Sequence, residues 1–434
     1  MELTARNCAL EALLKVEENE GYSNIVLDKT LKKYELEQRD ASLCSHIFYG
    51  VLEKKITLDY YIGKFLKKPD FVLNNAVREI LRIAFYQSLY LDKIPENAIV
   101  NEAVNCVKAI KKENQSGFVN GILREFLRNK DKISLPSDNS SSSLSVKYSI
   151  PSELIELWKN SYGEQNTMRI LENFSEKAKH FVRLNNTKIS ELLLGDKYPF
   201  LENAYEIGNI GNVTALDEFK QGHFHIQDLS SQYLCEILDP QENENIIDVC
   251  AAPGGKTFTI SEKMNCKGKV FSYDLYKGRV KLIREGAYRL SLTNVMASMR
   301  DATDEKCEIS DADRILCDVP CSGFGTIRRK PEIRYKSLKS IEPLYEIQYD
   351  ILQKSSKHLK KGGLLLYSTC TLNPMENGKI ADKFLLNNKN FEAVTLKIPK
   401  GLKRVILEPK NQLTMMPFAG DTDGFFVAVF RKIN

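Results

Sequence analysis

Residues Asn245-Ile-Ile-Asp-Val-Cys-Ala-Ala-Pro-Gly-Gly-Lys-Thr257 decide the fold. A short apolar run suits a buried strand, and a turn of small residues follows it. A helix is predicted over 256–264. Strand, glycine-rich turn and helix form the opening unit of an α/β domain. Further along, strands are predicted at 269–273, 294–298, 314–317 and 363–367, with helices at 277–290 and 342–359. The closing run 424–430 is read as a late strand of the same sheet. Strict alternation predicts right-handed βαβ units and a mostly parallel sheet with helices on both faces. The expected fold of 226–434 is therefore α/β and Rossmann-like.

The turn says what such a domain binds. Small residues let a ligand approach the backbone closely. The spacing is neither G-x-G-x-x-G nor a phosphate loop, because no glycine stands six residues before Lys256. Asp274 lies 20 residues beyond Gly254, at the carboxyl end of the second strand. An acid there takes ribose hydroxyls. A nucleoside without a gripped pyrophosphate is implied, and S-adenosylmethionine fits better than a dinucleotide. Asp301, after the third strand, is placed to accept an adenine amino group.

The loop Asp318-Val-Pro-Cys-Ser-Gly-Phe-Gly325 follows the fourth strand and offers a carboxylate, a rigid proline and a thiol in four positions. A second thiol, Cys370, follows the strand at 363–367 in Ser368-Thr-Cys-Thr371. Two thiols at neighbouring strand ends point to covalent catalysis. A pyrimidine C5 is a poor nucleophile. A thiolate added at C6 makes C5 enolate-like, so that it can take an electrophilic methyl. A base must then remove the C5 proton so that the thiol is expelled. Asp318 is placed to engage the ring. Next to this loop, residues 328–339 hold six basic residues and one acid. Arg328, Arg329 and Lys330 are expected to position a phosphate backbone.

Outward from this domain the chain changes character. Residues 1–136 carry helix-period apolar stripes at 5–16, 42–52, 58–65, 74–91, 95–110 and 118–127, and predict an all-α bundle. Its basic residues (Lys54, Lys55, Lys67, Lys68, Arg78, Arg82, Lys111, Lys112, Arg124, Arg128) suit either a solvated face or RNA. Residues 137–147 are Ser-rich and read as a linker too polar to order itself. Residues 148–225 predict a small α+β subdomain, with helices near 151–158 and 164–174 and strands at 179–184, 204–207 and 213–216. A multidomain chain agrees with the length of 434 residues. The 43% hydrophobic and 27% charged composition is that of a globular protein, and a net charge of +5 permits nucleic acid without demanding it. No run could span a membrane and no leader pattern opens the chain, so a cytoplasmic location is expected. Of ten cysteines, Cys8, Cys44, Cys106, Cys235, Cys266, Cys307 and Cys317 read as small buried hydrophobes. No metal-type pair occurs, and no metal is expected. No exposed apolar helix stands out, so a monomer is expected.

Taken together, Cys250-Ala-Ala-Pro-Gly-Gly-Lys-Thr257, Asp318-Val-Pro-Cys-Ser-Gly323, Arg329-Lys-Pro-Glu332, Tyr367-Ser-Thr-Cys-Thr-Leu-Asn-Pro374 and Asp423-Gly-Phe-Phe-Val-Ala428 resemble the cytosine-C5 RNA methyltransferase family, the Sun/NOP group. Ile226-Gln-Asp-Leu-Ser-Ser-Gln232 is similar to the segment before that family's first strand. The resemblance covers 145 to the end, and the helical region resembles a NusB RNA-binding domain fused in front. It implies a class I methyltransferase domain and an RNA-recognition-like α+β piece. It implies Cys370 as nucleophile, Cys321 as the residue that helps resolve the adduct, and Asp318 in the site. The cofactor pocket is expected at Cys250, Ala251, Ala252, Pro253, Gly254, Gly255, Lys256, Asp274, Arg279, Asp301, Asp318 and Pro320. Arg300 stands where the family more usually has glycine. The implied substrate is 16S rRNA, free or partly assembled. Alternatives are tRNA methylation at the same atom and a non-catalytic RNA-binding factor.

Overall fold

The computed structural model describes residues 4–19, 23–66, 72–208, 210–305 and 309–434. The chain forms two compact units, Met1–Leu157 with Lys330–Tyr335, and Trp158–Arg329 with Lys336–Asn434. Lys67, Lys68 and Cys307 lie outside the described residues.

The first unit is helical: α1 (Ala5–Asn19), α2 (Ser23–Tyr34), α3 (Gln38–Gly63), α4 (Asn75–Tyr90), α5 (Glu96–Ala109), α6 (Ser116–Asn129), α7 (Ser141–Tyr148) and the start of α8 (Ser152–Ser175). Its core is built by stripes such as Val119, Ile122, Leu123 and Phe126 of α6, at helical spacing. Phe126 stacks on Phe85 at 3.9 Å. Arg82 is not a surface cation: it is buried and pairs with Asp59 and Glu79.

The stripes expected as two helices at 42–52 and 58–65 are one helix, α3, bent at Lys54 (φ −104°, ψ 15°). Beside the bend, the distant segment Lys330–Tyr335 bonds to the α3 backbone. Arg334 donates to Glu53 O (2.8 Å) and Tyr335 to Leu52 O (2.8 Å). Ser149 Oγ accepts from Ile56 N (2.9 Å). Glu332 accepts from Ser23 Oγ (2.8 Å) at the start of α2. These bonds meet the requirement that buried backbone groups be paired.

The Ser-rich stretch 137–147 is not an unstructured linker. Ser140 caps α7 by accepting from Ser143 N (3.2 Å), and Asp138 accepts from Ser140 N (2.9 Å) and Ser143 Oγ (2.6 Å). Leu144 is buried. Serine favours helix starts, so composition that looked like a linker encodes a cap. The two helices expected around 151–174 are merged in α8, interrupted at Gly163 (φ +80°).

The second unit holds two sheets. The small one comprises β1 (His180–Leu184), β2 (Asp196–Lys197), β3 (Ala204–Ile207) and β4 (Phe224–Ile226), in the order β2-β3-β1-β4, with every pairing antiparallel. The strand expected at 213–216 is instead a 3-10 turn, Val213–Ala215, followed by α9 (Asp217–Lys220). The large sheet is built from β5 (Asn245–Asp248), β6 (Lys269–Asp274), β7 (Val295–Met299), β8 (Ala312–Asp318), β9 (Leu359–Thr369), β10 (Phe391–Ala393), β11 (Gln412–Met415) and β12 (Phe425–Lys432). Its order is β10-β12-β9-β8-β5-β6-β7, with β11 beside β12. Strands β5 to β9 pair in parallel and the late strands antiparallel, so the sheet is mixed. Helices α10 (Leu229–Leu238), α11 (Gly255–Lys263), α12 (Lys277–Leu290), α13 (Pro343–Ser355) and α14 (Gly378–Asn387) complete the layers. The expected boundary at 225 does not separate two compact units. Buried Arg183 of β1 pairs with buried Glu262 of α11 at 3.1 Å, tying the small sheet to the large domain. Among the described residues no helix is long and apolar enough to cross a membrane.

Candidate active site

Strand order places the site. The chain proceeds from β5 to β6 on one side and from β8 to β9 on the other, so a crevice opens at the carboxyl ends of β5 and β8. A cavity of about 190 Å³ lies there, lined by Gln227, Asp248, Ala252, Pro253, Lys256 and Asp318 among others. Cys250, Ala251 and Gly255 also line it. The turn into α11 makes this room. Gly254 has φ +115°, and a Cβ there would fall 2.3 Å from the Phe258 ring.

Asp274 ends β6, buried. It accepts from Ala252 N (3.3 Å) and pairs with Arg279 (3.3 Å), which also donates to Ala252 O (2.9 Å). Asp274 and Arg279 therefore brace the glycine turn. Asp301 is exposed in the turn after β7, and its Oδ1 accepts from Thr303 N and Oγ1. It is not among the residues lining the cavity.

Asp248 had not been singled out from sequence. Burial, chiefly, pushes its carboxyl up to about 7. Thr257 donates to its Oδ2 (2.8 Å), while its Oδ1 and the Nε2 of Gln227 have no hydrogen-bond partner among the described residues. The cavity thus offers an orphan acceptor, an orphan donor and two carboxylates, Asp248 and Asp318. That set fits a ligand with cationic centres and an amino-acid end, such as S-adenosylmethionine.

Beside this cavity stand the two thiols. Cys321 and Cys370, both half-buried, bring their sulfurs to 3.2 Å. The hydrogen bond to Cys370, then burial and the nearby Glu376 and Asp318 charges, hold the Cys321 thiol well above its ordinary value. Asp318 lies between thiols and cavity. Its Oδ2 pairs with Lys256 Nζ at 2.7 Å and its Oδ1 accepts from Ser368 Oγ at 2.8 Å. Burial works against the Lys256 charge, but Asp318 prevails and raises its pKa. The loops interlock through Gly325 N to Cys370 O (3.0 Å) and Gly424 N to Gly325 O (2.9 Å). A Cβ on Gly325 would overlap Gly424 O at 1.8 Å, so this approach requires glycine. Exposed Pro320 turns the loop and accepts from Gln348 Nε2 (2.9 Å).

The basic run is spent differently from the sequence expectation. Arg329 joins Asp423 (2.6 Å) to Asp228 (2.6 Å), and Arg328 also reaches Asp423 (3.5 Å). Both guanidiniums brace the protein itself. Lys330 opens the segment belonging to the helical unit. Glu376, Asn377 and Gln348, buried around the thiol loops, had also gone unremarked. For Glu376 and Asn377 a signal existed in the polar residues Asn373, Glu376 and Asn377, which follow Thr371 within six positions.

A central parallel sheet, a glycine turn opening on a nucleoside-sized crevice and reactive side chains at adjacent strand ends define a class I methyltransferase. Residues 235–431 match the family described as 16S rRNA methyltransferase RsmB/F, and residues 3–128 match the NusB family. A Bacillus subtilis (strain 168) protein named "Probable ribosomal RNA small subunit methyltransferase B" is 36% identical, over 99% of this chain and 99% of its own. The Escherichia coli O1:K1 ribosomal RNA small subunit methyltransferase B is 31% identical over 98% of each. The crystal structure of PH0851 has the same fold (TM-score 0.84, 24% identity, 100% of this chain and 99% of that one). The chain belongs to the RsmB/F family of 16S rRNA methyltransferases. It is an rRNA small-subunit methyltransferase, and its cofactor is S-adenosylmethionine.

Proposed function

We propose that the chain methylates C5 of a cytosine in 16S rRNA through a transient bond between Cys370 Sγ and cytosine C6. The observation that carries this reading is the pair of thiols 3.2 Å apart, beside a carboxylate that also lines the cofactor cavity. When bound, S-adenosylmethionine supplies an electrophilic methyl group. Asp248, Asp318 and the glycine turn hold the cofactor, and Asp274 with Arg279 keeps that turn in shape. Asp318, fixed by Lys256 and Ser368, faces the pyrimidine and hydrogen-bonds its ring edge. Cys370 adds to C6 as the thiolate, which raises electron density at C5. The Cys321 S–H stabilises that thiolate before attack. Once Cys370 sulfur is bonded to carbon, Cys321 gives its own proton to water, and the Cys321 thiolate so formed takes the proton from C5. The C6–S bond then breaks and returns Cys370. The base must leave its stack to reach these groups, which favours free or partly assembled rRNA. The protein works as a monomer in this reading.

The test uses methyl-labelled S-adenosylmethionine with protein-free 16S rRNA and, alongside, tRNA, followed by digestion to nucleosides. Label in 5-methylcytidine from rRNA alone is expected. Label from tRNA would overturn the substrate, and label in another nucleoside would overturn the chemistry.

Asp248 makes cofactor binding pH-dependent. Its folded pKa is raised, so the neutral acid stabilises the free protein at low pH, and this contribution is lost as pH rises through about 7. Cofactor affinity runs the other way, because the ionised form attracts the cation. The Kd for S-adenosylmethionine, measured calorimetrically, is expected to fall about tenfold from pH 6 to pH 8. Asp248→Asn should flatten that dependence. An equal slope in the variant would remove Asp248 from the cofactor site.

A further inference from the structure

Glu376 is fully buried, and no Lys, Arg or His pairs with it among the described residues. A buried carboxylate without a counter-ion is costly unless hydrogen bonds replace its water. Four donors do so here. Ser322 N (2.7 Å) and Gln348 Nε2 (3.0 Å) reach Oε1, while Ser322 Oγ (2.5 Å) and Asn373 Nδ2 (3.1 Å) reach Oε2. Two of the four come from the residue that follows Cys321. Gln348 extends the grip to Pro320 O, the residue before Cys321.

The next residue grips the other thiol loop. Asn377, also buried, accepts from Thr369 Oγ1 (2.5 Å) and donates to Thr371 O (2.9 Å), the two neighbours of Cys370. A direct bridge joins the loops as well. Ser322 Oγ gives its proton to Glu376, so it accepts from Thr371 Oγ1 at 2.7 Å.

We propose that Glu376 and Asn377 are positioning residues that together set the separation of the two thiols, Glu376 through the Cys321 loop and Asn377 through the Cys370 loop. Adjacent residues acting on different sulfurs give different chemical phenotypes. Loosening the Cys321 loop impairs release, and loosening the Cys370 loop impairs attack. A general packing role would impair both equally. The phenotypes rest on the cysteine reading above, whereas the geometric claim does not.

The experiment reads the thiol separation first, without RNA. Full-length protein is treated with diamide, which takes two hydrogens from Cys321 and Cys370 to become the hydrazine while one S–S bond forms. Peptide mapping by mass spectrometry gives the rate. In Glu376→Gln an amide NH₂ faces two donors, and losing charge-assisted bonds of that kind should slow the disulfide about tenfold or more. Asn377→Ala should slow it similarly. Ser322→Ala, which removes only the hydroxyl arm, should slow it severalfold and decides the matter if Glu376→Gln does not fold. With RNA and cofactor, Glu376→Gln should accumulate covalent protein–RNA complex on a denaturing gel, whereas Asn377→Ala should give neither complex nor product. Wild-type disulfide rates in folded variants overturn the proposal, as do identical phenotypes for the two positions. If wild type makes no 5-methylcytidine and no complex while the disulfide rates fall as stated, the cytosine reading fails and the positioning role stands.

Discussion

Cys321→Ala is expected to arrest the protein on its RNA, with a covalent complex accumulating on denaturing gels in the presence of S-adenosylmethionine. The two sulfurs sit at 3.2 Å, within hydrogen-bond reach of each other. Removing Cys321 leaves the attacking sulfur in place, because the Cys370 loop has its own bonds through Asn377 and Gly325. Attack and methyl transfer therefore still occur. Proton removal from C5 does not keep pace, and the C6–S bond persists. Turnover should fall by about a hundredfold or more, the usual worth of a positioned acid–base group. Product formation at the wild-type rate without complex would remove Cys321 from release. The variant should fold, since truncating one half-buried thiol costs less than about 2 kcal/mol.

Cys370→Ala should behave oppositely, with methyl transfer down by at least about a thousandfold and no covalent complex at all, as befits loss of a nucleophile. Binding of S-adenosylmethionine should survive, because Cys370 does not line the cofactor cavity. A single-turnover assay on 16S rRNA, with cofactor affinity measured in parallel, separates these effects. Residual complex in Cys370→Ala would mean that another nucleophile attacks. The double variant Cys321→Ala/Cys370→Ala should match Cys370→Ala, since release matters only after attack.

The parts of this architecture that repeat locally were legible in the sequence. The run from Asn245 to Thr257 announced strand, turn and helix, and apolar runs located β6, β8 and β9 within a few residues. Asp318, Cys321 and Cys370 were visible because loops after strands carry reactive groups and these stand among small and polar neighbours. What was hidden depends on distant partners. Nothing near Lys54 says that α3 bends there, and the Arg334 and Tyr335 that bond to its backbone beside the bend lie far along the chain. Helix α2 buries Ser23 and Thr30 beside Leu27 and Tyr34, so its apolar stripe is faint. The serines before α7 looked like a linker until Ser140 and Asp138 were seen to cap it. Arg328 and Arg329 looked like RNA contacts because basic runs ordinarily face solvent. The buried Asp423 and the Asp228 carboxylate turn them inward. Nothing in the sequence around Glu376 singles it out from its polar neighbours, and only the tertiary fold reveals four donors around it.

The most direct measurement is mass spectrometry of the complex trapped by Cys321→Ala on 16S rRNA, after digestion of both protein and RNA. The account predicts a methylated cytidine-derived nucleotide on the peptide containing Cys370. A nucleotide on any other residue, a uridine-derived adduct, or an unmodified Cys370 in protein recovered from the complex would contradict it.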